Sequence, residues 1–267
     1  MTEHSIADSS KPNPGRIYDY VLGGGHNFEV DRIAAEELLK RLPFISKYAR
    51  LQRWSLRNIA EELSMKRGFD VIIDFASGLP TNDHIHFRVP KGTTVIYSDI
   101  DRVTVEYAQE ILEGTSNAWV FKSDAGTPDE LLNNPEVERI LNGRRKVAFV
   151  YWGVSGFLSD DAIKNAARVL YDWAAPGSCI AFNSQTSDVN HPVKDEVTEI
   201  YRKMGTKTYG RLAEECLALL EPWQVDGDGF VSLLEWHGFK ESGFADDPDN
   251  SFGSNLGGHG AYFIKPA

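Results

Sequence analysis

The chain has 267 residues, of which 42% are hydrophobic, and its 28 Lys and Arg against 39 Asp and Glu give a net charge of -11. An acidic chain does not suit a nucleic-acid backbone, because binding to phosphates depends on clustered Lys and Arg. No apolar run approaches the ~20 residues that span a bilayer, and residues 1–15 are polar with Pro12 and Pro14, unlike a signal peptide. We therefore expect a cytoplasmic protein with no nucleic-acid or membrane partner.

The N-terminal part of the sequence predicts a leader followed by a helical section. The run "RIYDYVLGGGHNF", residues 16–28, places three consecutive glycines among hydrogen-bonding side chains, which is typical of a turn or of a close backbone approach. From Glu29 to Leu63 apolar residues recur at helical intervals, broken at Pro43. The predicted parts of the chain are a disordered leader over 1–15, a helical section over 16–68 and a core over 69–267.

After residue 68, short apolar runs alternate with helical stretches. Such an alternation predicts helical crossovers and a parallel sheet buried on both faces, so the fold class is α/β with a doubly wound, mostly parallel sheet. The predicted strands are 71–76, 93–100, 118–124, 146–152 and 177–183. The predicted helices lie near 81–88, 102–113, 128–142 and 160–174, with two more in "VTEIYRKM" and "YGRLAEECLALL". The final "GHGAYFIKP" predicts a strand that fits an antiparallel edge.

Residues suited to binding a nucleoside follow the first two predicted strands. Ligands of an open parallel sheet bind beyond the carboxyl ends of its strands. Asp74 ends the first strand, and Asp99 ends the second, where a carboxylate can accept both hydroxyls of a ribose. Ile100 follows this acid. The small residues after Asp74, whose backbone N–H groups a ligand can approach, are Ala76, Ser77 and Gly78.

The next two strand ends add the groups that an adenine ring needs. Asp124 and Ala125 follow the third strand, and Tyr151 and Trp152 end the fourth. An acceptor beside two aromatic rings can bind an exocyclic amine and pack against a purine. The four strand ends together predict an adenosine pocket. The alternatives are that Asp74 and Asp124 cap helices and that Trp152 belongs to the core.

The motifs of several other ligand classes are missing from the sequence. No G-x-G-x-x-G follows a strand, which disfavours a nicotinamide oxidoreductase, and no G-x-x-x-x-G-K-[ST] phosphate loop is present. In "GVSGF", Phe157 replaces the second glycine of the G-x-S-x-G nucleophile elbow. An adenosine ligand with little phosphate is what these absences favour.

The runs "VIIDFASGLPTNDHIH", "TTVIYSDID" and "VFKSDAG" resemble the glycine, ribose-acid and adenine-acid motifs of class I S-adenosylmethionine-dependent methyltransferases, which have a Rossmann-like sheet. The opening "PGRIYDYVLGGGHNFEVDR", together with "GLPTNDHIH", is similar to a bacterial subgroup once catalogued as a domain of unknown function and assigned as S-adenosylmethionine methyltransferases. The resemblance runs from about Pro14 to the final strand. Ala76 departs from it by replacing the first glycine of D-x-G-x-G, which restricts the backbone unless the turn needs no positive φ there.

The resemblance implies that the glycine-rich opening folds over the cofactor as a lid with its hinge at the glycines. His26 is then a candidate catalytic base, because its unperturbed imidazole is mostly neutral near pH 7, and Tyr20 is a second catalytic candidate. The implied cofactor contacts in this segment are Arg16, Tyr18, Tyr20, Gly24 and Asn27. The alternative is a glycine-rich linker whose tyrosines pack in the core.

The signals for a metal ion are weak, and we predict none. "QVDGDGFVSLLE", residues 224–235, matches much of a calcium loop, but a glutamine replaces its first acid, so an acidic turn is the preferred interpretation. His84 and His86 have too few partners for a metal site and fit the helix after the first strand. Cys179 and Cys216 have no CxxC or metal-ligand spacing, which argues against a zinc site and a disulfide framework.

The predicted function is the transfer of a methyl group from S-adenosylmethionine to a small-molecule acceptor by an SN2 step. Such a step mainly requires positioning and the exclusion of water, with a general base only where the acceptor carries a proton. The alternative is a non-catalytic protein that senses S-adenosylmethionine or S-adenosylhomocysteine through the same pocket. Turnover distinguishes the two, since both would bind the cofactor.

Overall fold

A computed structural model of the chain describes residues 10–43, 45–81, 84–184, 192–233, 235–236 and 258–267. The helices are α1 (Pro14–Val21), α2 (Glu29–Arg41), α3 (Ile45–Glu61), α4 (Arg102–Ile111), α5 (Asp129–Leu132), α6 (Pro135–Leu141), α7 (Asp160–Trp173), α8 (Pro192–Lys203) and α9 (Ala213–Leu219). The strands are β1 (Val71–Phe75), β2 (Thr94–Asp99), β3 (Ala118–Lys122), β4 (Ala148–Tyr151), β5 (Cys179–Ser184), β6 (Gln224–Ser232) and β7 (His259–Ile264). A π-helical turn, Glu62–Lys66, continues α3, and short 3₁₀ helices span Ile85–Phe87 and Ser155–Phe157.

The strands of the described residues form one sheet in the order β3-β2-β1-β4-β5-β7-β6. β1 to β5 pair in parallel, and β7 runs antiparallel to β5 and β6. Apolar side chains of the central strands alternate between two core clusters, one on each face of the sheet, and helices contribute to both clusters. The predicted α/β class with a doubly wound, mostly parallel sheet is confirmed.

The last two strands differ from the sequence prediction. β7 is antiparallel as expected but lies inside the sheet, and β6 forms the edge. β6 occupies the segment predicted as an acidic turn. Its hydrogen bonds to β7 outweigh the weak strand preference of Asp and Gly. A register irregularity between Asp226 and Val231 accommodates Gly227 and Gly229, which have φ values of +61° and +75°.

Two predicted helices are shorter in the structure. Over 81–88, the described residues contain only the 3₁₀ turn Ile85–Phe87. The segment 128–142 is divided into α5 and α6, because Pro135 begins a new helix and the Asn134 side chain caps it by accepting from the Glu136 backbone N–H at 2.9 Å.

The N-terminal helices pack in two ways. Leu51 and Ile59 of α3 are fully buried and share a core cluster with Ile72 of β1, so α3 covers one face of the sheet. Ile17 of α1 and Leu38 of α2 belong to a smaller separate cluster. The predicted three-part division of the chain stays a prediction.

The described end of the predicted leader is ordered by a helix cap. The Asn13 side chain accepts hydrogen bonds from the backbone N–H groups of Gly15 and Arg16 at 2.8 and 3.2 Å, and Pro14 begins α1. Residues 1–9 lie outside the described residues. Among the helices that are described, none combines the length and the apolar character that crossing a membrane requires.

The strand order places a ligand crevice at one point of the sheet. β2 and β3 extend the sheet from one side of β1, whereas β4 and β5 extend it from the other side. Where the order reverses in this way, the carboxyl ends of the two central strands leave room for a ligand. This point lies beyond β1 and β4, at Asp74 and Tyr151.

Candidate functional site

The turn after β1 has a strained backbone. Ala76 has φ +53° and Gly78 has φ +63°, both in the left-handed region. An alanine pays roughly 1–2 kcal/mol in this conformation because its Cβ approaches the carbonyl oxygen. The turn therefore does need a positive φ at the position where D-x-G-x-G has a glycine. Strain of this kind clusters at ligand sites, where the surrounding structure enforces it.

Asp74, at the base of this turn, is a buried carboxylate with an unused acceptor. Its side chain is 2% exposed, and among the described residues its Oδ2 atom has no hydrogen-bond partner. Nε2 of His84 lies 3.8 Å from Oδ2. Burial raises the pKa of Asp74 well above its usual range, while Arg53 opposes the shift and Asp99 adds to it. A ligand cation at Oδ2 would satisfy this carboxylate and stabilise its charge.

Asp99 closes the other side of the turn. Its Oδ2 accepts from the Gly78 backbone N–H at 3.0 Å, and its Oδ1 accepts from the Asp101 N–H at 2.9 Å. Each carboxylate oxygen can accept a second hydrogen bond, so two ligand hydroxyls can bind. Burial raises the pKa of Asp99 to about 6, although these backbone donors oppose the shift. Ile100, 59% exposed, provides an apolar surface beside the acid.

The end of β3 contributes a smaller polar site. Asp124 is half-buried, and its Oδ1 accepts from the Gly126 N–H at 2.8 Å. Ala125 is buried between them. Neither alternative cap is present, because Pro128 precedes α5, and the first helical turn after Asp74 begins only at Ile85. The adenine contact of Asp124 and Ala125 stays a prediction.

The aromatic residues of the predicted adenine wall are buried and belong to the core clusters. Tyr151 is 2% exposed, packs on Phe75 and donates its hydroxyl to the Ala125 carbonyl at 2.8 Å. Trp152 is 7% exposed, and its Nε1–H lies 3.2 Å from both the Gln52 carbonyl oxygen and a serine hydroxyl. Their polar atoms are paired and their rings belong to core clusters on opposite faces of the sheet. The contact of these two residues with an adenine ring stays a prediction.

The glycine-rich opening is wound around one carboxylate, that of Asp19. Asp19 is 7% exposed, and its Oδ2 accepts from the His26 backbone N–H at 2.9 Å and from the Asn27 side-chain amide at 3.0 Å. A Cβ atom at Gly24 would collide with the same carboxylate, and Gly23 has φ +85°. The glycines thus serve both predicted uses, a turn and a close approach.

His26 lies over the helix that begins after the ribose acid. Its ring makes an edge contact with Tyr107 of α4, with ring centroids 5.3 Å apart, and Phe28 contacts the same ring at 6.3 Å. This packing brings the predicted lid next to α4, whose N-cap, Asp101, follows Asp99 by two residues. The catalytic role of His26 stays a prediction.

The two tyrosines of the opening have different surroundings. The ring of Tyr18 lies under the guanidinium of Arg53, 5.8 Å from its centroid, and Arg53 acts on the pKa of Asp74. Tyr18 therefore stands near the turn after β1. Tyr20 instead donates its hydroxyl to Glu36 of α2 at 3.0 Å, and this bond raises its pKa above the usual value. The structure does not prepare Tyr20 as a base.

Arg16 is buried and ion-paired beside the site, and its predicted cofactor contact stays a prediction. Its side chain is 2% exposed, and its Nε and Nη1 atoms pair with Asp31 at 2.7 Å and Asp101 at 3.0 Å. Its Nη2 donates to the Lys11 carbonyl at 2.8 Å. All three guanidinium nitrogens are occupied. Because Asp101 donates its backbone N–H to Asp99, Arg16 links α1 and α2 to the ribose acid.

A buried network between β1 and β2 was not predicted from the sequence. His84 and His86 both contact the hydroxyl of Tyr97, from Nδ1 atoms at 3.1 and 2.9 Å, and the His86 backbone N–H donates to it at 2.9 Å. His84 Nε2 lies 3.2 Å from the Ser77 carbonyl oxygen. The sequence signal was the pair of histidines that begins six residues after Gly78, which the helix interpretation did not use.

The segment with calcium-loop spacing forms the sheet edge. Asp226 in β6 is ion-paired with Arg67 at 2.6 Å, so one acid of the calcium-loop pattern is already paired with a protein cation. Within the described ranges, no three His, Cys, Asp or Glu side chains are grouped so that they could hold a metal ion. The absence of calcium binding stays a prediction.

The comparisons with known proteins agree with this geometry. A crystal structure of a candidate methyltransferase from Thermobifida fusca YX has a TM-score of 0.85 and 28% identity, with 98% of this chain and 97% of that chain covered. A DUF574 family protein from Streptomyces avermitilis MA-4680 has a TM-score of 0.87 and 23% identity, with 97% and 100% covered, and at that identity it supports the fold alone. No curated protein sequence matches the chain.

The family match covers nearly the whole sequence. It extends over residues 1–260, with the family described as S-adenosyl methyltransferase. The resemblance of the chain to S-adenosylmethionine-dependent methyltransferases is thereby confirmed. The chain belongs to the S-adenosyl methyltransferase family, and its cofactor is S-adenosylmethionine.

Proposed function

We propose that the protein transfers the methyl group of S-adenosylmethionine to a small-molecule acceptor. The observation that carries the proposal is the pairing of two carboxylates at adjacent strand ends. Asp74 has a buried oxygen without a partner among the described residues, and Asp99 is held by backbone N–H groups with acceptor capacity to spare. One carboxylate suits a cation and the other suits a pair of hydroxyls, which are the two polar ends of this cofactor.

The residues at the site fit the cofactor in kind. Asp99 would hold the ribose hydroxyls and Ile100 would pack against the adenine, with Asp124 beside its exocyclic amine. Asp74 would hold the ammonium of the methionine end, and the small turn residue Ser77 would allow the backbone to approach it. When bound, the cofactor supplies a methyl group on a sulfonium, which is electrophilic.

The chain's own residues would position the reactants and exclude water. The opening segment 16–28 packs against α4 beside Asp99, which supports its role as a lid over the ribose end. His26 has its backbone held by Asp19 and its ring at the edge of Tyr107, which supports it as the base where an acceptor carries a proton. Tyr20, bound to Glu36, has no such support.

A small acceptor is favoured over a nucleic acid by charge. The chain has 11 more acidic than basic residues, and phosphate backbones are bound by excess Lys and Arg. Among the described residues, Arg144 pairs with Asp70 at 3.7 Å and Arg145 with Glu138 at 3.7 Å, so the basic run 144–146 is partly neutralised.

Calorimetry with S-adenosylhomocysteine tests the cofactor site. Replacing Asp99 by Ala removes two hydrogen bonds to a charged group and should weaken binding by about 2 kcal/mol, or about 30-fold. Asp172→Ala, an exposed acid on α7, is the matched control and should bind as the wild type does. Unchanged affinity in Asp99→Ala would refute the site.

A turnover assay tests catalysis separately. Formation of S-adenosylhomocysteine from S-adenosylmethionine is followed with panels of small amines, phenols, thiols and carboxylic acids. His26→Gln should keep cofactor affinity and lose turnover of acceptors that carry a proton on the reacting atom. Tight cofactor binding with no transfer to any panel would favour the sensor alternative.

A further inference from the structure

His84 is placed to act on the cofactor turn through a single atom. It is 1% exposed and lies just before the 3₁₀ helix Ile85–Phe87, with one ring nitrogen towards that helix and the other towards Ser77. The Ile85 backbone N–H donates to Nδ1 at 2.9 Å. Nε2 lies 3.2 Å from the Ser77 carbonyl oxygen.

These two partners determine the tautomer of His84. A backbone N–H can only donate and a carbonyl oxygen can only accept, so Nδ1 is the acceptor and Nε2 carries the proton. The ring must then be neutral, because a charged imidazole has no acceptor. Burial lowers the pKa of His84 well below its usual value, and Arg53 adds to this effect, which agrees with a neutral ring.

The Ser77 peptide groups are restrained on both sides. The Ser77 backbone N–H donates to the Ser98 carbonyl at 2.9 Å, which ties the turn to β2. The Ser77 carbonyl accepts from His84, which ties the turn to the 3₁₀ helix. Between these restraints and β1 lies Ala76, held at φ +53°. A strained conformation persists only where its surroundings enforce it, and these two hydrogen bonds do so.

We propose that His84 is a positioning residue for the cofactor, which holds the turn over 76–78, with Ala76 and Gly78 at positive φ, by donating its Nε2–H to the Ser77 carbonyl. The inference rests on the proposed binding of the cofactor at this turn. His84 transfers no proton in this proposal and acts on neither the methyl donor nor the acceptor directly. Without the bond, Ala76 would leave the strained conformation part of the time, and the Gly78 N–H would lose its alignment on Asp99.

The ring of His84 is itself held in place. The Tyr97 hydroxyl lies 3.1 Å from its Nδ1, and the two rings meet edge to face with centroids 4.8 Å apart. Tyr97 is a fully buried residue of β2. The imidazole is therefore oriented by a rigid strand on one side before it acts on the turn on the other.

The decisive variant is His84→Asn. The Asn side-chain oxygen can take the place of Nδ1 and keep the bond to the Ile85 N–H, but the side chain is too short to reach the Ser77 carbonyl. We expect about tenfold weaker binding of S-adenosylhomocysteine by calorimetry. With a turned-over acceptor, KM for S-adenosylmethionine should rise by a similar factor with kcat changed less than twofold.

A double substitution separates positioning from a general structural role. Glycine adopts positive φ without strain, so Ala76→Gly in the His84→Asn background should restore affinity to within threefold of the wild type. Ala76→Gly alone is measured as the reference for the double variant. Equal losses for His84→Asn in both backgrounds, or no loss in either, would overturn the proposal, because a strain-holding bond must be coupled to residue 76.

Two further variants keep the test decisive. His84→Gln places an amide donor near Nε2 and should bind within threefold of the wild type, and a loss as large as tenfold in this folded variant would overturn the proposal even if His84→Asn does not fold. His86→Asn is the matched control, since within the described part of the chain His86 contacts Tyr97 and not Ser77. It should keep its affinity within twofold.

Asp99→Ala, measured alongside, distinguishes the two levels of inference. If Asp99→Ala binds as tightly as the wild type, the cofactor site is wrong. If Asp99→Ala loses affinity and His84→Asn does not, the site is right and the positioning role of His84 is wrong.

Discussion

The glycine-rich turn over 22–28 and the turn over 74–78 both contain small residues, but they differ in whether their carboxylates are hydrogen-bonded within the protein. In the first turn, the Asp19 carboxylate accepts hydrogen bonds from His26 and Asn27. In the second turn, the buried Asp74 carboxylate keeps an oxygen without a partner among the described residues. The polar groups of the first turn hydrogen-bond to one another, whereas the second turn leaves a carboxylate oxygen that a ligand can bind.

The backbone of the two turns shows the same contrast. Positive φ in the first turn falls on Gly23, where it costs little, and Gly24 has no side chain where Asp19 approaches. In the second turn positive φ falls on Gly78 and also on Ala76, where it is strained. A turn formed by permissive residues serves folding, whereas a strained residue beside an unsatisfied carboxylate points to binding. Substitutions should therefore separate into losses of stability near the first turn and losses of affinity near the second.

The largest effect on stability is expected at Arg16, which lies in α1 before the glycine-rich turn and pairs with Asp101, the N-cap of α4. Arg16→Met leaves the fully buried carboxylate of Asp31 without its cation, which should cost about 3–5 kcal/mol of unfolding free energy. Urea unfolding followed by circular dichroism measures it. Arg102→Met, whose side chain is 61% exposed in its pair with Glu106, is the control and should lose less than about 1 kcal/mol. Equal losses in both variants would show that the buried pair is not a structural link.

Asp74→Asn should lower the affinity for S-adenosylhomocysteine and leave the stability unimpaired. The amide is nearly isosteric but cannot pair with a cation, so S-adenosylhomocysteine should bind roughly 10- to 100-fold more weakly, from about 1.5–3 kcal/mol for a hydrogen bond to a charged group. The melting temperature at pH 8 should not fall, because the substitution removes a buried carboxylate whose pKa is raised by burial. A lower melting temperature with unchanged affinity would place Asp74 with the self-contained turn instead.

Cofactor binding should also lower the pKa of Asp74, which releases a proton wherever the free carboxyl is protonated. Burial raises its pKa in the free protein, and a cation at Oδ2 favours the ionised form, so the pKa falls on binding. Calorimetry of S-adenosylhomocysteine in buffers of different ionisation enthalpy measures this release, and Asp74→Asn should abolish it. The same release from the variant would assign the proton to another group.

The sequence located the strand ends at the three acids but not the burial of the two aromatic residues, for one physical reason. Apolar runs locate the ends of parallel strands, so Asp74, Asp99 and Asp124 fall at one edge of the sheet as expected. A strand buried on both faces gives no alternation to say which side chains face a ligand, and Tyr151 and Trp152 turned into the two core layers.

Contacts between distant parts of the chain were beyond the sequence patterns. The strand β6 exists because β7 pairs with it, 27 or more residues further along the chain, and its own composition favours a turn. The contact between His84 and Ser77 likewise depends on how a short 3₁₀ helix folds back after the turn. No periodicity within one segment encodes such a meeting.

A smaller effect, specific to the ribose contact, is expected for the binding of adenosine, because adenosine has the ribose hydroxyls but no methionine end. Burial raises the pKa of Asp99 to about 6, and the ribose hydroxyls need its ionised form as acceptor. Adenosine affinity should be flat above about pH 7 and fall up to tenfold per unit below pH 6, as measured by calorimetry between pH 5 and 8. Asp99→Asn should bind weakly at every pH.

The raised pKa of Asp99 also predicts how the stability of the protein depends on pH. The folded state holds the Asp99 proton more tightly than the unfolded chain does, with an ordinary pKa near 3.9. This group therefore opposes folding above pH 6, and its cost disappears as the pH falls from about 6 to 4. Asp99→Asn should be more stable than the wild type at pH 8, and the gap should narrow towards pH 4. A gap that does not depend on pH would place the titration elsewhere.

The smallest effect is expected from Ala76→Gly, and it tests whether the second turn is strained. Relief of the left-handed alanine gains roughly 1–2 kcal/mol, and the greater freedom of glycine in the unfolded chain takes back about 0.4–1 kcal/mol. The net gain should be about 0.5 kcal/mol, or about 1–2 °C in melting temperature for a chain of this size. Ala175→Gly, in a loop where φ is not positive, is the control and should lose about 0.4–1 kcal/mol. If both variants lose stability equally, Ala76 is not strained, and the distinction between a self-satisfied first turn and a ligand-completed second turn then rests on Asp74 alone.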